Sequence, residues 1–147
     1  MQRVSSARVV VDEELTGEIG RGLLVYLGVG RADKDDDRAY LLRKIVALRI
    51  FPDATGKMMR SVLDIAGSVL LVSQFTLYGD VRRGARPSFD DAMPSTDARA
   101  VFDTFVREAS GLVTVATGRF GADMKVTSVN DGPVTIFLDS AISPRSS

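Results

Sequence analysis

Residues 68–80, SVLLVSQFTLYGD, begin as an apolar run, Val69-Leu70-Leu71-Val72, and end as something else. The first half has the unbroken aliphatic character of a strand in a core. In the second half Ser73, Gln74 and Thr76 are set among Phe75, Leu77 and Tyr78. Polar side chains cost free energy in a core unless they find partners. The pattern predicts a strand over about 68–78, with Ser73 and Phe75 on one face and Gln74 and Thr76 on the other. Either the hydroxyls are satisfied by neighbouring backbone at a strand end, or this end of the strand faces a pocket.

Working outward, QRVSSARVVVD (2–12) is Val-rich and loosely alternating, and GLLVYLGVG (22–30) reads as a second, buried strand bracketed by glycine. The stretch between them, DEELTGEIGRG, carries turn signals. Leu41, Leu42, Ile45, Val46 and Leu48 predict a helix over about 35–50. Asp35, Asp36 and Asp37 fall in its first turn, where carboxylates favour the positive end of the helix dipole; the alternative for such an acidic run is a metal site. PDATGKMMRS (52–61) reads as a loop turning at Thr55–Gly56. The clearest helix is 95–110, where Ala98, Val101, Phe102, Phe105, Val106 and Ala109 keep the helical period and Ser95 is placed to cap it. Three strands are expected to close the chain, in LVTVATG, ADMKVTSVN and VTIFLDS, before a free tail, SPRSS.

The expected order is therefore β-β-α-β-α-β-β-β. Two helices cannot cover both faces of so much sheet, so sheet must pack on sheet. The expectation is one mixed α and β domain over 1–147, in three layers helix/sheet/sheet, with curved sheets and both helices on one outer face.

With 147 residues the chain can bury a substantial core, and 45% hydrophobic against 26% charged residues is ordinary for a globular protein. Lys plus Arg and Asp plus Glu number 19 each, so net charge gives no reason for non-specific binding to nucleic acid or membrane. The start, MQRVSSARVV, has no signal-peptide h-region, and no apolar run approaches the roughly 20 residues that span a bilayer. A cytoplasmic protein is expected. His and Cys are both absent, which excludes disulfides, thiolate nucleophiles, Cys or His metal sites and a Ser-His-Asp triad. Any catalysis must use carboxylates, Lys, hydroxyls, backbone amides or groups on the substrate.

Three more stretches have the residue types for a site. NDGPVT (130–135) spells a tight turn between strands, and a cis bond at Gly132–Pro133 would turn neighbouring carbonyls to one side as a rigid surface. The loop GDVRRGARPSF (79–89) carries Arg82, Arg83 and Arg86, either as a solvated loop or as forks of donors for phosphate. In TGRFGADM (117–124), Phe120 and Met124 flank a Gly-rich bend where a ring could stack on a base, or could equally be core.

Taken together, QRVSSA, GEIGRGLLVYLGV, LRIFPD with GKM, SQFTLYGD with RRGARPSF, TGRFGADM and NDGPVTIFLDS resemble the D-aminoacyl-tRNA deacylases, in that family's order and over nearly the whole chain. The resemblance implies a homodimer that hydrolyses the ester joining a D-amino acid to the terminal adenosine of tRNA, without metal or cofactor. It implies that Ser73, Gln74, Phe75 and Thr76 form the catalytic motif. Gly132 and Pro133, with a cis bond, would reach into the partner's active site and exclude L-amino acids with main-chain atoms. Arg3 would hold that motif, while Phe120 and Met124 would line the pocket for the terminal adenine. Two departures stand out: Met1 directly precedes Gln2, which would shorten the first strand and loosen what Arg3 supports, and Met59 occupies the place of an Asn common after GKM.

On physical grounds an activated ester needs little more than positioning and oxyanion stabilisation. Strand N–H groups near Phe75 and Thr76 would bind the oxyanion, and the ribose 2′-OH of the substrate would help activate water. The other possibility, Thr76 as nucleophile, lacks a His to take its proton. Steric exclusion of L side chains should spare glycine and ignore the identity of a D side chain. Rival readings are a non-catalytic RNA-binding module using Arg82, Arg83, Arg86 and Phe120, an editor of L-aminoacyl esters, and a structural dimerisation domain.

Overall fold

The computed structural model describes residues 1–142; the tail expected at 143–147, and with it the end of the domain boundary set at 147, lies outside the described residues. The strands are β1 (Gln2–Val11), β2 (Glu14–Ile19), β3 (Gly22–Leu27), β4 (Phe51–Pro52), β5 (Met58–Arg60), β6 (Ser68–Ser73), β7 (Thr114–Thr117) and β8 (Lys125–Thr135). The helices are α1 (Asp35–Ala47) and α2 (Ser95–Ser110). One six-stranded sheet runs β2-β1-β3-β6-β7 with β8 also on β1, and β4 and β5 form a small ribbon.

Strands β3, β6 and β7 are parallel, which requires crossovers, and α1 and α2 lie in them. Strand β1 pairs with β3 through residues 2–4 and with β2 through residues 7–11, so it bridges two halves of a curled sheet. The curl brings β2 against β7: a Cβ at Gly17 would stand 2.2 Å from the carbonyl oxygen of Thr117. Successive residues of β3 and β6 then serve two cores. Leu23, Val25, Val69 and Leu71 pack under Leu42, Ile45, Phe102 and Phe105 of the helices. Leu24, Leu70 and Val72 pack inside the curl against Val4, Val9 and Ile19. Leu23, Leu24, Leu70 and Leu71 are all 0% exposed, which is why these runs are apolar without alternation. The mixed α and β architecture, with helices outside one face of a curved sheet, is as expected.

Several local expectations are corrected. Residues 14–19, expected to belong to a turn region, form β2; the turn itself is only Asp12–Glu13, both at positive φ, as a two-residue hairpin demands. The loop over 52–61 contains β5 and, with Phe51, the ribbon β4–β5. Helix α1 stops at Ala47 rather than near 50, because Leu48 turns extended and sends Ile50 and Phe51 into the core. Helix α2 has Pro94 at its N-cap with no side-chain cap, so Ser95 is its first residue and not its cap. NDGPVT is not a turn between two strands: β8 runs through it, and four of its residues, Asp131 to Val134, lie between Asn130 and Thr135, whose partners Val4 and Gln2 are only two apart on β1. Among the described residues beyond Thr135, 136–142, no further strand forms, although Met1 and Ile136 exchange N–H···O bonds of 2.7 and 2.8 Å. Finally, β6 ends at Ser73, and Phe75–Tyr78 coil into one 3-10 turn.

Candidate active site

The 3-10 turn exists because two glycines leave room for it. A Cβ at Gly28 would lie 3.2 Å from the Tyr78 ring, and one at Gly30 only 2.5 Å from its phenol oxygen. With Tyr78 tucked over this Gly-Val-Gly segment, the chain must curl once β6 ends. The Gln74 N–H makes the last sheet bond, to Leu27 O at 2.9 Å, and Leu77 N–H reaches back to Gln74 O at 3.3 Å. As the opening residues of the turn, Phe75 and Thr76 have no carbonyl one turn earlier to bond. The alternation expected for 73–76 is thereby broken. Ser73, Gln74 and Phe75 all line one cavity, while Thr76 is exposed and its hydroxyl accepts from the Gln74 side-chain amide.

This cavity, of about 690 Å³, opens where β3, β6 and β7 all end. Adjacent parallel strands present their carboxyl ends on one edge, and the loops leaving that edge build the walls. From β3 come Val29 and Arg31, from β6 Ser73, Gln74 and Phe75, and from beyond β7 Phe120 and Met124. Phe75 is held edge-on by Phe89 across 5.0 Å, and Phe89 also lines the cavity. Phe120 leans on Phe102 of α2 at 5.8 Å, so it is half core and half wall. Met124 lies over Gly118, where a Cβ would come within 2.5 Å of its sulfur. The opening motif thus faces a pocket, and the fold brings it against TGRFGADM although 45 positions separate Phe75 from Phe120.

Gly132 and Pro133 are exposed and do not line this cavity. Their peptide bond is cis. Arg3 holds the segment: its Nε donates to Asp131 O at 2.8 Å and its Nη1 to Ile50 O at 2.7 Å, with the side chain 11% exposed. The first strand begins at Gln2, and Arg3, the next residue, makes both of these bonds. Of the loop arginines, Arg82 is clamped on Asp80 by bonds of 2.6 and 2.8 Å, and Arg82, Arg83 and Arg86 are all outside the cavity lining. The clamp and the Arg82 backbone N–H lower the Asp80 carboxyl to about 2.

A second cavity of about 350 Å³ lies on the other side of the 3-10 turn, lined by Leu77, Tyr78, Asp33 and residues 135–140. Burial, helped by the carboxylates of Asp33, Asp139, Asp37 and Asp91, pushes the Tyr78 phenol up to about 12. Burial likewise raises Asp33, against the Gly30 N–H that its carboxylate accepts at 2.7 Å. Asp35–Asp37 work as a helix start: Asp37 accepts the Lys34 N–H at 2.9 Å and Asp35 pairs with Arg38. No cluster of His, Cys, Asp or Glu suited to a metal ion occurs among the described residues. No helix among them is long and apolar enough to cross a membrane.

Sequence reading missed Arg31, Phe89, Met93 and Asp123 as wall residues. For Arg31 a signal was present. It follows the end of an apolar strand through Gly28-Val29-Gly30, and had β3 and β6 been recognised as parallel neighbours, both exits would have been assigned to one edge. Nothing local marks Phe89 or Met93.

The family model described as D-Tyr-tRNA(Tyr) deacylase matches residues 1–139. A D-aminoacyl-tRNA deacylase of Roseiflexus sp. (strain RS-1) is 55% identical over 143 residues, 97% of this chain and 92% of the relative. One from Thermotoga petrophila is 54% identical, covering 96% of this chain and 95% of its own. Among solved structures, the c-Myc DNA Unwinding Element Binding Protein superposes with a TM-score of 0.90 at 40% identity, over 98% of this chain and 97% of the other. A probable eukaryotic D-amino acid tRNA deacylase shares the fold, with a TM-score of 0.74 at 19% identity over 90% and 92% of the two chains. On matched length and identity together, the chain belongs to the D-aminoacyl-tRNA deacylase family.

Proposed function

We propose that the cavity at the ends of β3, β6 and β7 is where this D-aminoacyl-tRNA deacylase hydrolyses its ester substrate. The observation that carries this reading is the meeting of Ser73-Gln74-Phe75 with Phe120 and Met124 on the walls of one cavity. Adenine of the 3′-terminal adenosine stacks between Phe120 and Met124, and the ester carbonyl lies at the 3-10 turn. Water adds to the carbonyl carbon, assisted by the ribose 2′-OH. The N–H groups of Phe75 and Thr76 take the developing oxyanion. The bond to the ribose oxygen breaks, that oxygen takes the proton from water, and D-amino acid and tRNA leave. Such preorganised donors are typically worth roughly 100- to 1000-fold in rate each. Gln74 and Thr76, bonded to each other, hold the turn that aims them.

Gly132 and Pro133 serve as the chiral barrier. Because they lie outside their own chain's cavity and on the surface, they act on the cavity of a second copy, and the working unit is a homodimer with its sites at the interface. No metal or cofactor takes part, and the setting is the cytoplasm, where charged tRNA is found. Glycyl-tRNA, with no side chain to exclude, is a substrate as well.

Deacylation of matched D-tyrosyl- and L-tyrosyl-tRNA by the purified protein, with a chelator present, tests this reading. Loss of the D ester alone is expected. Cleavage of neither above the blank overturns the enzyme reading and leaves RNA binding; cleavage of the L ester at a similar rate overturns the chiral barrier.

A further inference from the structure

We propose that Arg31 binds the phosphate linking the terminal adenosine of the substrate RNA to the nucleotide before it. The inference rests on the reading of the cavity as the substrate site. With adenine at Phe120 and Met124 and the ester at Phe75, the 5′ side of the ribose must leave the cavity across its rim, and it carries a negative charge there.

Arg31 is the one basic side chain among the cavity's lining residues. It is exposed, and it makes no ion pair among the described residues. Its backbone N–H donates to Asp91 O at 2.8 Å and its Nε to Asp90 O at 3.0 Å. Two anchors therefore fix where the guanidinium points, while both terminal nitrogens keep their N–H groups for an outside acceptor. That is the state suited to phosphate: a planar fork of donors, already oriented, with its charge unspent. Of the other arginines, Arg83 and Arg86 stand outside the cavity lining, and three more are engaged elsewhere. Arg82 is clamped on Asp80, Arg119 is paired with Glu14 at 3.3 Å, and Arg3 is spent on two carbonyls. A phosphate contact sets position along the RNA and carries no sequence information, so it suits an enzyme that must accept many tRNAs.

The test compares two small substrates, D-tyrosyl ester of adenosine and D-tyrosyl ester of 5′-phosphoadenosine, on the wild type, Arg31→Gln and Arg31→Lys. Wild type is expected to prefer the phosphorylated ester in kcat/KM by about tenfold or more, as for a charge-assisted hydrogen bond. Arg31→Gln should remove that preference, and Arg31→Lys, which keeps charge but loses the fork, should retain part of it. On full tRNA, Arg31→Gln should flatten the slope of log kcat/KM against log salt by about 0.7, the value for one phosphate of a single strand. Phe120→Ala, run beside it, should impair both small esters alike. A ratio unchanged in Arg31→Gln while Phe120→Ala is impaired overturns the Arg31 assignment alone. Phe120→Ala cleaving both esters like wild type overturns the cavity as the substrate site, and this assignment with it.

Discussion

The side-chain amide of Gln74 donates to the hydroxyl of Thr76 two residues on, so two of the three polar groups that interrupt the apolar strand satisfy each other. The Thr76 oxygen is an acceptor turned toward the turn's own support, and Thr76 is not among the cavity walls. Thr76→Ala is therefore expected to lower the single-turnover rate on D-tyrosyl-tRNA by no more than about tenfold, the worth of one such hydrogen bond. Thr76→Ser should be close to wild type. Loss of activity by several orders of magnitude, with substrate still bound, would make the hydroxyl a nucleophile and sink the backbone account.

The close pairing of β3 with β6 sets a stability prediction. A Cβ at Gly22 would fall 1.8 Å from the carbonyl oxygen of Ser68, its partner in the ladder, and backbone cannot swing aside as a side chain can. Gly22→Ala should cost about 3 kcal/mol or more by urea unfolding, at the severe end of overpacking. Gly20→Ala, with nothing within 4 Å of its Cβ, should stay within about 0.5 kcal/mol.

The same contrast explains what the sequence made legible. Strands β3 and β6 and helix α2 announced themselves because burial fixes their residue types directly. Strand β2 did not, because Gly17 is there to let β7 approach and the exposed Glu14 and Glu18 read as turn residues. The curl of Phe75–Tyr78 was hidden for a related reason: its cause is a ring fitting over Gly28 and Gly30, nearly 50 positions away. Motif by motif these cavity residues could be picked out as candidates, since Ser73-Gln74-Phe75 and Phe120 are unusual where they stand. That they share one cavity, and that Arg31 joins them, depends on which strands are neighbours.

The Asp80–Arg82 clamp should be visible in a titration. Its two side-chain bonds come first, then the Arg82 backbone N–H, and together they lower the Asp80 carboxyl from 3.8 to about 2. A carboxyl lowered on folding stabilises the fold above its unfolded pKa, and that contribution is lost as pH falls from about 4 toward 2. Arg82 is exposed and Asp80 only half-buried, so the effect on stability is small and salt-screened. Carboxyl-carbon NMR should give Asp80 a midpoint near 2, rising toward the ordinary value in Arg82→Ala and in strong salt. An ordinary midpoint in the wild type would mean that the clamp does not persist in solution.

Arg3 should govern enantiomer discrimination without touching the reacting atoms. Its fork spans Asp131 O and Ile50 O, tying the strand that carries Gly132 to the start of β4. Lysine has no second nitrogen with which to span the pair. Both Arg3→Ala and Arg3→Lys should raise the ratio of L- to D-tyrosyl-tRNA cleavage by about tenfold, the worth of roughly one such bond. A fall in both rates with the ratio unchanged would reduce Arg3 to a role in stability alone.

Glycine is the sharpest test of how handedness is read. A pocket that attracts a D side chain would discriminate against glycine, which offers nothing to hold. A barrier of main-chain atoms placed where an L side chain must go has no purchase on glycine, whose two hydrogens fit either way. The role proposed for Gly132 and Pro133 is the second picture. Glycyl-tRNA should therefore be cleaved at a rate within about an order of magnitude of D-alanyl-tRNA, while L-alanyl-tRNA resists, a difference of one methyl group costing far more than the 10- to 200-fold of an ordinary hydrophobic pocket. Measured side by side on one tRNA body, a glycyl ester as resistant as the L-alanyl ester would show that the site selects by attraction, and Gly132 and Pro133 would lose their part in the choice.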